Sequence, residues 1–437
     1  MKRKFRIIVG MLLLAIPLCM NAQVKPTKPE NPKPKVENEK PEVKPEKPGI
    51  KPEKPGMPEK PGIRPEKPGM RPEKPEGPGM KPERPDGPKP GMNEPKGGFE
   101  MPKISGFVQG MYQANLTDEG KLMDGDKAST FRMRRVRMSV DGNLFKGLSY
   151  KIQGDFTRKP MLVDVFLKYK VSPAFAIQLG QFKTPFTIES PINPVNLEIF
   201  DYGEIVQALS GYSDVCGVGS LGRDLGIMAT GSLLPVEMSN GEKLNLVDYS
   251  IGLFNGNGAN EKDNNNRKDV VGRLDIHPWV KALTLSGSYY YGKYSKDDNV
   301  NCTRNRWAAG AQYNDGKLVL RGEYINGTTG WLEYTYNDHM GISVDTRENF
   351  YNSNGYYAQA GYYFNLGKDK SQKLMPVLRY EHFTAYQAVV DGGTNWYTAG
   401  INYWPLKSVN CKLDYSLVQK ESGTNSHRVV GMVSYKF

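Results

Sequence analysis

The sequence predicts an all-β chain: a 16-stranded antiparallel transmembrane β-barrel preceded by a disordered, polyproline-II segment rich in Pro, Lys and Glu. Three observations lead to this fold class. After residue 98, segments of about ten residues alternate between apolar and polar side chains, as barrel strands do. Beyond the first 22 residues, no apolar run approaches the roughly 20 residues that a membrane-spanning helix needs. The alternating segments number 16, and an even number of strands closes an up-and-down barrel.

The amino terminus predicts a signal peptide over residues 1–22. A basic start is followed by an apolar run from Ile7 to Leu18 and by small and polar residues up to Ala22. The run holds about a dozen residues, too few for a retained transmembrane helix. Cleavage after Ala22 is therefore expected. Lipid attachment at Cys19 is disfavoured, because the preceding position holds Leu18 rather than a small residue.

Residues 23–98 are nearly all Pro, Lys, Glu, Gly and Met and repeat loosely, as in Lys54 to Met57 and Lys67 to Met70. Proline at every third or fourth position prevents helix and sheet pairing and favours polyproline II, with a reach on the order of 200 Å. Such a composition cannot build a core. We expect a disordered periplasmic segment that is either a solvated spacer or a tether to the cell wall or to an envelope partner.

The formal net charge of +12 does not indicate nucleic-acid binding once it is divided along the chain. Four positive charges lie in the predicted signal peptide, and the proline-rich segment holds 18 basic and 13 acidic residues. Only about three positive charges remain for residues 99–437. No nucleic-acid partner is therefore expected.

The sequence predicts no cofactor, metal centre or catalytic site. The cysteines of the mature chain, Cys216, Cys302 and Cys411, are odd in number and widely spaced, so neither a metal site nor a disulfide framework follows. A hydrolase would need a nucleophile beside a general base. None of the four histidines lies in a recognisable serine, cysteine or metal motif; they are His277, His339, His382 and His427. We do not expect an enzyme.

Residues 99–437 form the predicted barrel, and the segment from Leu148 to Thr157 shows the alternation most clearly. Leu148 and every second residue after it are apolar or glycine, whereas the residues between them are polar or charged. One face therefore suits lipid and the other suits water. The 16 candidate strands begin near Lys103, Thr130, Leu148, Met161, Phe175, Arg223, Asn245, Asp269, Ala282, Thr303, Lys317, Gly355, Lys373, Thr394, Ser408 and His427.

The connections largely alternate in length, as short periplasmic turns and long outer loops require. The predicted inner turns are Asp141 to Gly147, Val171 to Ala174, His277 to Lys281, Asn314 to Gly316 and Trp404 to Lys407. The predicted outer loops are Asn115 to Ser129, Asn255 to Lys268, Lys293 to Cys302 and Asn326 to Asn354, and Arg158 to Pro160 is a short exception. The longest interruption, Thr184 to Gly222, is expected to pack on the barrel wall and narrow the bore; the alternative is an exposed surface loop.

Three motifs carry a family resemblance: Phe131 to Gly142, which begins with four arginines in seven residues, Gly180 to Phe186, and Gly222 to Gly226. They resemble the phosphate-selective porin family, the outer-membrane β-barrel porins of the O and P type, over roughly Ile104 to Phe437. The resemblance implies a trimeric 16-stranded barrel in which the third outer loop constricts each pore and basic side chains draw anions inward. The last strand, which ends on Phe437, is similar to the signal that the bacterial barrel-assembly machinery reads.

The predicted water-filled face mixes basic and acidic residues. The candidate pore-lining, anion-attracting residues are Arg135, Arg137, Lys151, Lys168, Lys170, Arg273 and Arg321. Arg379 and Lys412 belong to the same face, and the acidic residues opposing them are Asp155, Asp164, Asp275, Glu323, Glu381 and Asp414. Clustered cations raise the local concentration of anions, whereas mixed signs give weak selectivity. The alternative role of these bases is salt bridging that stiffens the wall or a subunit interface.

We therefore expect an outer-membrane porin, a passive diffusion channel for small hydrophilic solutes with a weak preference for phosphate-like anions. The expected partners are outer-membrane lipid, the assembly machinery through Phe437, further copies in a homotrimer, and a cell-wall or periplasmic partner for the proline-rich segment. The expected location is the outer membrane of a Gram-negative bacterium, with the amino-terminal segment in the periplasm. The alternative is a mainly structural protein that tethers the outer membrane to the cell wall.

Overall fold

A computed structural model describes residues 101–123, 128–239, 241–295, 301–337, 341–367, 371–385 and 393–437, with backbone only where these include residues 332–348. The predicted signal peptide (1–22) and proline-rich segment (23–98) lie outside the described residues. Within the described residues, no helix combines the length and the apolar character needed to cross a membrane.

The described residues form one antiparallel sheet that closes on itself. Its strands are β1 (Lys103–Thr117), β2 (Ser129–Phe145), β3 (Leu148–Asp155), β4 (Leu162–Ser172), β5 (Phe175–Lys183), β6 (Arg223–Glu237), β7 (Lys243–Phe254), β8 (Asp269–Ile276), β9 (Leu283–Ser295), β10 (Asn301–Asn314), β11 (Leu318–Asn337), β12 (Gly341–Tyr362), β13 (Phe364–Leu366), β14 (Gln372–Thr384), β15 (Thr394–Leu406), β16 (Val409–Lys420) and β17 (Asn425–Lys436). Both β12 and β13 pair with β14, so they are two parts of one strand and the wall has 16 strands. Pairing of β1 with β2 and with β17 closes the barrel, as predicted.

Alternation along each strand separates an outer face from the bore. On β3, Ile152 is 49 % exposed on the outer face, whereas Gln153 and Asp155 point inward and are buried. On β16, Leu413 is exposed outward and Lys412 is buried inside. Polar residues of the inner face are buried because a long loop folds into the bore and covers them.

Fifteen of the 16 predicted strand starts lie within two residues of an observed start. The exception is the strand expected near Gly355, which begins at Gly341 and pairs with β11. The prediction of an outer loop over residues 326–354 is therefore wrong, because most of this segment continues the hairpin. Its Asn and Gly content suggested a loop. The polar side chains instead pair across the strands, as where the Thr328 hydroxyl donates to Asn352 Oδ1 at 2.8 Å.

The two ends of the barrel differ. At one end, which we call the turn end, the connections are short, β1 begins, and Phe437 exchanges two backbone hydrogen bonds of 3.0 Å with Gly106. At the other, the loop end, the connection between β7 and β8 covers residues 255–268 as predicted, and the link at residues 156–161 is short. The alternation of turns and loops thus follows the prediction outside the β11–β12 hairpin.

Candidate functional site: the bore and the loop inside it

Residues 184–222 connect β5 to β6 and fold into the barrel; we call them the constriction loop. They contain a 3₁₀ turn at Pro194–Asn196 and one short helix, α1 (Glu204–Leu209). The loop packs on the wall through a fully buried apolar cluster, and the expectation of packing is confirmed over the exposed-loop alternative. The fully buried members include Phe186, Ile205 and Leu209 in the loop and Phe254, Val271 and Ile325 in the wall.

The middle of the loop is tied to β2 through Asp201. A β-bulge in the pairing of β2 with Gln109 of β1 lets both Arg134 and Arg135 reach this carboxylate. Arg134 Nε donates to Asp201 Oδ2 at 3.1 Å, and Arg135 Nη2 donates to Oδ1 at 2.6 Å. Burial alone would raise the pKa of Asp201, but the guanidinium groups of Arg135 and Arg134 lower it below its ordinary value. Asp201 is therefore held in its charged form between two arginines.

Two glutamates hold the loop on β11 and β14. The Glu198 carboxylate accepts from both terminal nitrogens of Arg321, at 2.9 and 3.0 Å. Glu189 accepts from Arg379 Nη1 at 2.5 Å and from the backbone N–H of Gly203 at 2.9 Å. A Cβ atom at position 203 would overlap the Arg379 guanidinium, so glycine is what lets helix α1 start against this ion pair.

Strand β16 binds the backbone of the loop. The Lys412 ammonium donates to the carbonyls of Leu197 and Ile199, the second at 3.2 Å. Asp414 Oδ2 accepts from the N–H of Phe200 at 2.7 Å. The wall therefore fixes the path of the loop backbone as well as its side chains.

Strand β10 holds the part of the loop that returns to β6. Arg306 donates from its two terminal nitrogens to the two Asp214 oxygens, at 2.6 and 2.7 Å, and from Nη1 to the Leu209 carbonyl at 2.8 Å. Burial would raise the pKa of Asp214, but Arg306 lowers it. The loop is thus attached to walls on opposite sides of the bore.

Four of the seven predicted pore-lining cations lie in ion pairs. The pairs are Arg135 with Asp201, Arg137 with Asp155, Arg273 with Asp275, and Arg321 with Glu198. Arg273 also donates to the Thr187 carbonyl at 2.6 Å. Arg379 and Lys412, from the same predicted face, hold the loop as well. The salt-bridging alternative describes the contacts of the five arginines, whereas Lys412 donates to backbone carbonyls of the loop.

The other three predicted cations, Lys151, Lys168 and Lys170, lie on the inner face of β3 and β4 toward the turn end. In the part of the chain that the structure describes, their ammonium groups have neither an ion-pair partner nor a hydrogen-bond acceptor. Lys168 stands across from Gln178, and Lys151 stands across from Asp141. Positive charge without an ion-pair partner is therefore concentrated on this part of the bore, which we call the β3–β4 wall.

A second group of cations surrounds the loop end of β2. Five arginines share two carboxylates there: Arg132, Arg134, Arg135, Arg137 and Arg158 lie around Asp155 and Asp201. Arg158 belongs to the link between β3 and β4, where burial and the charge of Arg134 lower its pKa to about 10. The arginine-rich start of the motif that begins at Phe131 is thus crowded, and its innermost members are already paired.

Several residues of the bore were missed by sequence reasoning. Arg306 had a usable signal, because Trp307 marks the outward face of β10 and places its neighbour inward. Arg134 lies in the arginine-rich motif, but its inward contact had no signal, since the bulge interrupts the two-residue period. Asp201 and Asp214 lie in a loop, where no periodicity assigns a face.

The same fold occurs in solved outer-membrane proteins of low sequence identity. The loop L8 deletion mutant of OmpT, an outer membrane protein of Vibrio cholerae, has a TM-score of 0.52 at 11 % identity and covers 77 % of this chain and 99 % of its own. An anion-selective porin from Comamonas acidovorans has a TM-score of 0.52 at 13 % identity, and the match covers 77 % of this chain and 99 % of that porin. The outer membrane channel DcaP of Acinetobacter baumannii has a TM-score of 0.51 at 14 % identity, and the match covers 77 % of this chain and 97 % of DcaP. At these identities the likeness shows the fold.

No curated protein matches this sequence. A family model, Phosphate-selective porin O and P, matches residues 108–437. The match includes nearly the whole barrel and the constriction loop, and it confirms the resemblance drawn from the sequence motifs. The chain therefore belongs to the phosphate-selective porin O and P family and is an outer-membrane β-barrel channel.

Proposed function

We propose that this channel is a passive pore for small hydrophilic solutes that weakly prefers anions. The observation that carries the proposal is the β3–β4 wall: Lys151, Lys168 and Lys170 are unpaired among the described residues, whereas the other predicted cations are engaged. Unneutralised charge in a narrow polar pore raises the local concentration of counter-ions. Three ammonium groups on adjacent strands therefore favour the entry of anions.

The preference is expected to be weak because the bore carries both signs. Asp141 stands across from Lys151, and the paired arginines bring their own carboxylates into the bore. Support for anions rather than cations also comes from the comparisons: the Comamonas acidovorans protein is named as anion-selective, and the family is named for phosphate.

The test is the reversal potential of single channels in a planar bilayer across a salt gradient, for wild type and for Lys168→Glu plus Lys170→Glu. A unit charge about 7 Å from a permeating ion changes its energy by about 0.6 kcal/mol in water. The variant changes the wall by four charges, two for each reversed lysine. After screening, the anion-to-cation permeability ratio is expected to fall roughly tenfold.

The matched control is Lys317→Glu plus Lys407→Glu, which makes the same charge change at exposed turn residues of the same barrel end. Its reversal potential should stay close to that of wild type. An equal shift in both variants would assign the preference to net charge rather than to the β3–β4 wall. Conductance without any preference would leave a general porin, and folded protein that does not conduct would refute the pore.

We also propose that the barrels associate as homotrimers in outer-membrane lipid. One OmpT structure of Vibrio cholerae is described as a trimer form. On this chain, Phe156 and Met161 expose more than half of their surface in the short link between β3 and β4. Phe156→Lys plus Met161→Lys should shift the molecular mass in detergent toward one chain, whereas Phe350→Lys, at an equally exposed site on β12, should not.

We propose that residues 1–22 are removed on export and that residues 23–98 lie in the periplasm. The chain enters the barrel at Lys103, at the turn end, and short turns face the periplasm in such barrels. Phe437 ends at the same rim and is proposed as the mark that the assembly machinery reads.

The role of residues 24–98 can be tested by deleting them. If the segment is a tether, the deletion should loosen the outer membrane from the cell wall; if it is a plain spacer, the envelope should not change. Conductance should be unaffected in both cases.

A further inference from the structure

The return arm of the constriction loop brings a cysteine against the start of β10. Cys216 of the loop, Cys302 of β10 and Tyr294 of β9 form one buried cluster, and both cysteines are only 2 % exposed. Tyr294 stands directly across from Cys302 and donates from its hydroxyl to the Gly330 carbonyl of β11 at 2.7 Å. Two sulphurs from segments 86 residues apart in sequence thus lie in one buried cluster.

Contacts of Cys216 place its sulphur beside the inward residues of β10 and β11 that neighbour Cys302. Cys216 Sγ lies 3.1 Å from Arg306 Nη2 and 3.8 Å from Thr329 Oγ1. Thr329 pairs with Arg304, and the next inward position of β10 toward the loop end is Cys302. That step is about 7 Å long, and disulfides join Cα atoms roughly 4.4–6.8 Å apart. The two cysteines pack in one buried cluster, so this spacing brings them within the range in which a bond can form.

We propose that Cys216 and Cys302 form a disulfide bond that ties the constriction loop to the barrel wall. The two sulphurs are not bonded to each other in this structure. An exported chain passes through an oxidising compartment, where such bonds form and persist. The third cysteine, Cys411, occupies an outward-facing position of β16 on another wall, which explains an odd total beside one bond.

The oxidant is the disulfide of an envelope thiol oxidase. One cysteine thiolate attacks that disulfide and releases one oxidase thiolate; the second cysteine then attacks the mixed disulfide and releases the other. The pair loses two protons and two electrons, and the oxidase is reduced to its dithiol. Burial raises the pKa of the Cys216 thiol to about 12, so the folded loop holds little thiolate. Exchange therefore occurs before the loop is buried.

The test uses the full-length protein isolated from outer membranes without reductant. It is unfolded in the presence of iodoacetamide, digested, and analysed by mass spectrometry, then analysed again after reduction. We expect the peptides with Cys216 and Cys302 to be linked and unalkylated before reduction, and the Cys411 peptide to be alkylated throughout. Full alkylation of Cys216 and Cys302 without reductant, or a link from either to Cys411, would overturn the proposal.

A functional measurement on variants separates the bond from mere proximity. Cys216→Ser and Cys302→Ser should each increase brief current interruptions several-fold in single-channel records, because one attachment of the loop is lost, and the double variant should add nothing further. Cys411→Ser is the control and should behave as wild type. Additive effects of Cys216→Ser and Cys302→Ser would contradict a bond between the two residues. Anion preference is not the readout, so the outcome is independent of the proposed selectivity.

Discussion

The loop-binding strands and the β3–β4 wall use cations in opposite ways. On β10, β11 and β14, the inward residues Arg306, Arg321 and Arg379 each bind a carboxylate of the constriction loop. On β3 and β4, Lys168 and Lys170 bind none in the described part of the chain. The number of bases facing a bore therefore overstates its effective charge, because a paired guanidinium fixes a loop whereas an unpaired ammonium acts on passing ions.

The paired and unpaired cations also differ in residue type: the cations that bind the loop are mostly arginines, and those of the β3–β4 wall are lysines. Arginine presents a rigid fork that matches both carboxylate oxygens, as Arg321 does with Glu198 and Arg306 with Asp214. Lysine is a compact and strongly hydrated point charge, which suits a wall in contact with water. Lys412 is the exception, since it is buried and donates to backbone carbonyls of the loop.

The largest expected effect comes from removing the charge that binds the loop to β2. Asp201→Asn leaves the buried Arg135 and the half-buried Arg134 without this carboxylate, and breaking a buried ion pair typically costs about 3–5 kcal/mol. We expect a lower thermal unfolding midpoint in detergent and a larger single-channel conductance, because the middle of the loop loses its hold. The control is Glu119→Gln, which removes an exposed ion pair with Lys121. Unchanged conductance in the Asp201 variant would mean that the loop does not limit current.

A paired test of one cation from each region should separate stability from selectivity. Arg321→Gln leaves Glu198 buried without its guanidinium, so we expect a loss of stability of about 3 kcal/mol or more. Lys151→Gln removes no ion pair or hydrogen bond in the described chain, and its stability should stay within about 0.5 kcal/mol of wild type while its anion preference falls. Equal losses of stability in the two variants would remove the distinction between the regions.

The barrel could be predicted from the sequence, because a two-residue alternation repeated over 16 strands assigns one face to lipid and the other to the bore. The hairpin of β11 and β12 could not, because its polar side chains resemble those of a loop. In the bore, Lys151 and Lys168 were found by alternation alone. Which bases are neutralised was not predictable, since the partners Asp201 and Asp214 lie in a loop without periodicity.

The link between pairing and charge state gives a pH dependence for Asp201. Its folded pKa is depressed by Arg135 and Arg134, so its contribution to stability is fully present above the ordinary carboxyl pKa of about 3.9 and is lost as pH falls through the folded value. The difference in unfolding free energy between wild type and Asp201→Asn should therefore be constant from pH 8 to about pH 5 and shrink below about pH 4. A difference that already disappears near pH 6 would show that this carboxylate is not held between two arginines.

Raising the salt concentration should affect the two regions differently, and this is the weakest effect that we expect. The Debye length falls from about 10 Å at 0.1 M to about 3 Å at 1 M, so exposed charges are screened while buried pairs are screened much less. The anion preference of wild type should therefore decline toward zero between these concentrations, as measured by reversal potentials at a fixed concentration ratio. The ratio of the conductance of Asp201→Asn to that of wild type should be the same at 1 M as at 0.1 M, because the larger conductance reflects the position of the loop. A preference that survives at 1 M would instead point to a desolvated site in the bore, and the paired arginines of the loop end would then replace the β3–β4 wall as its source.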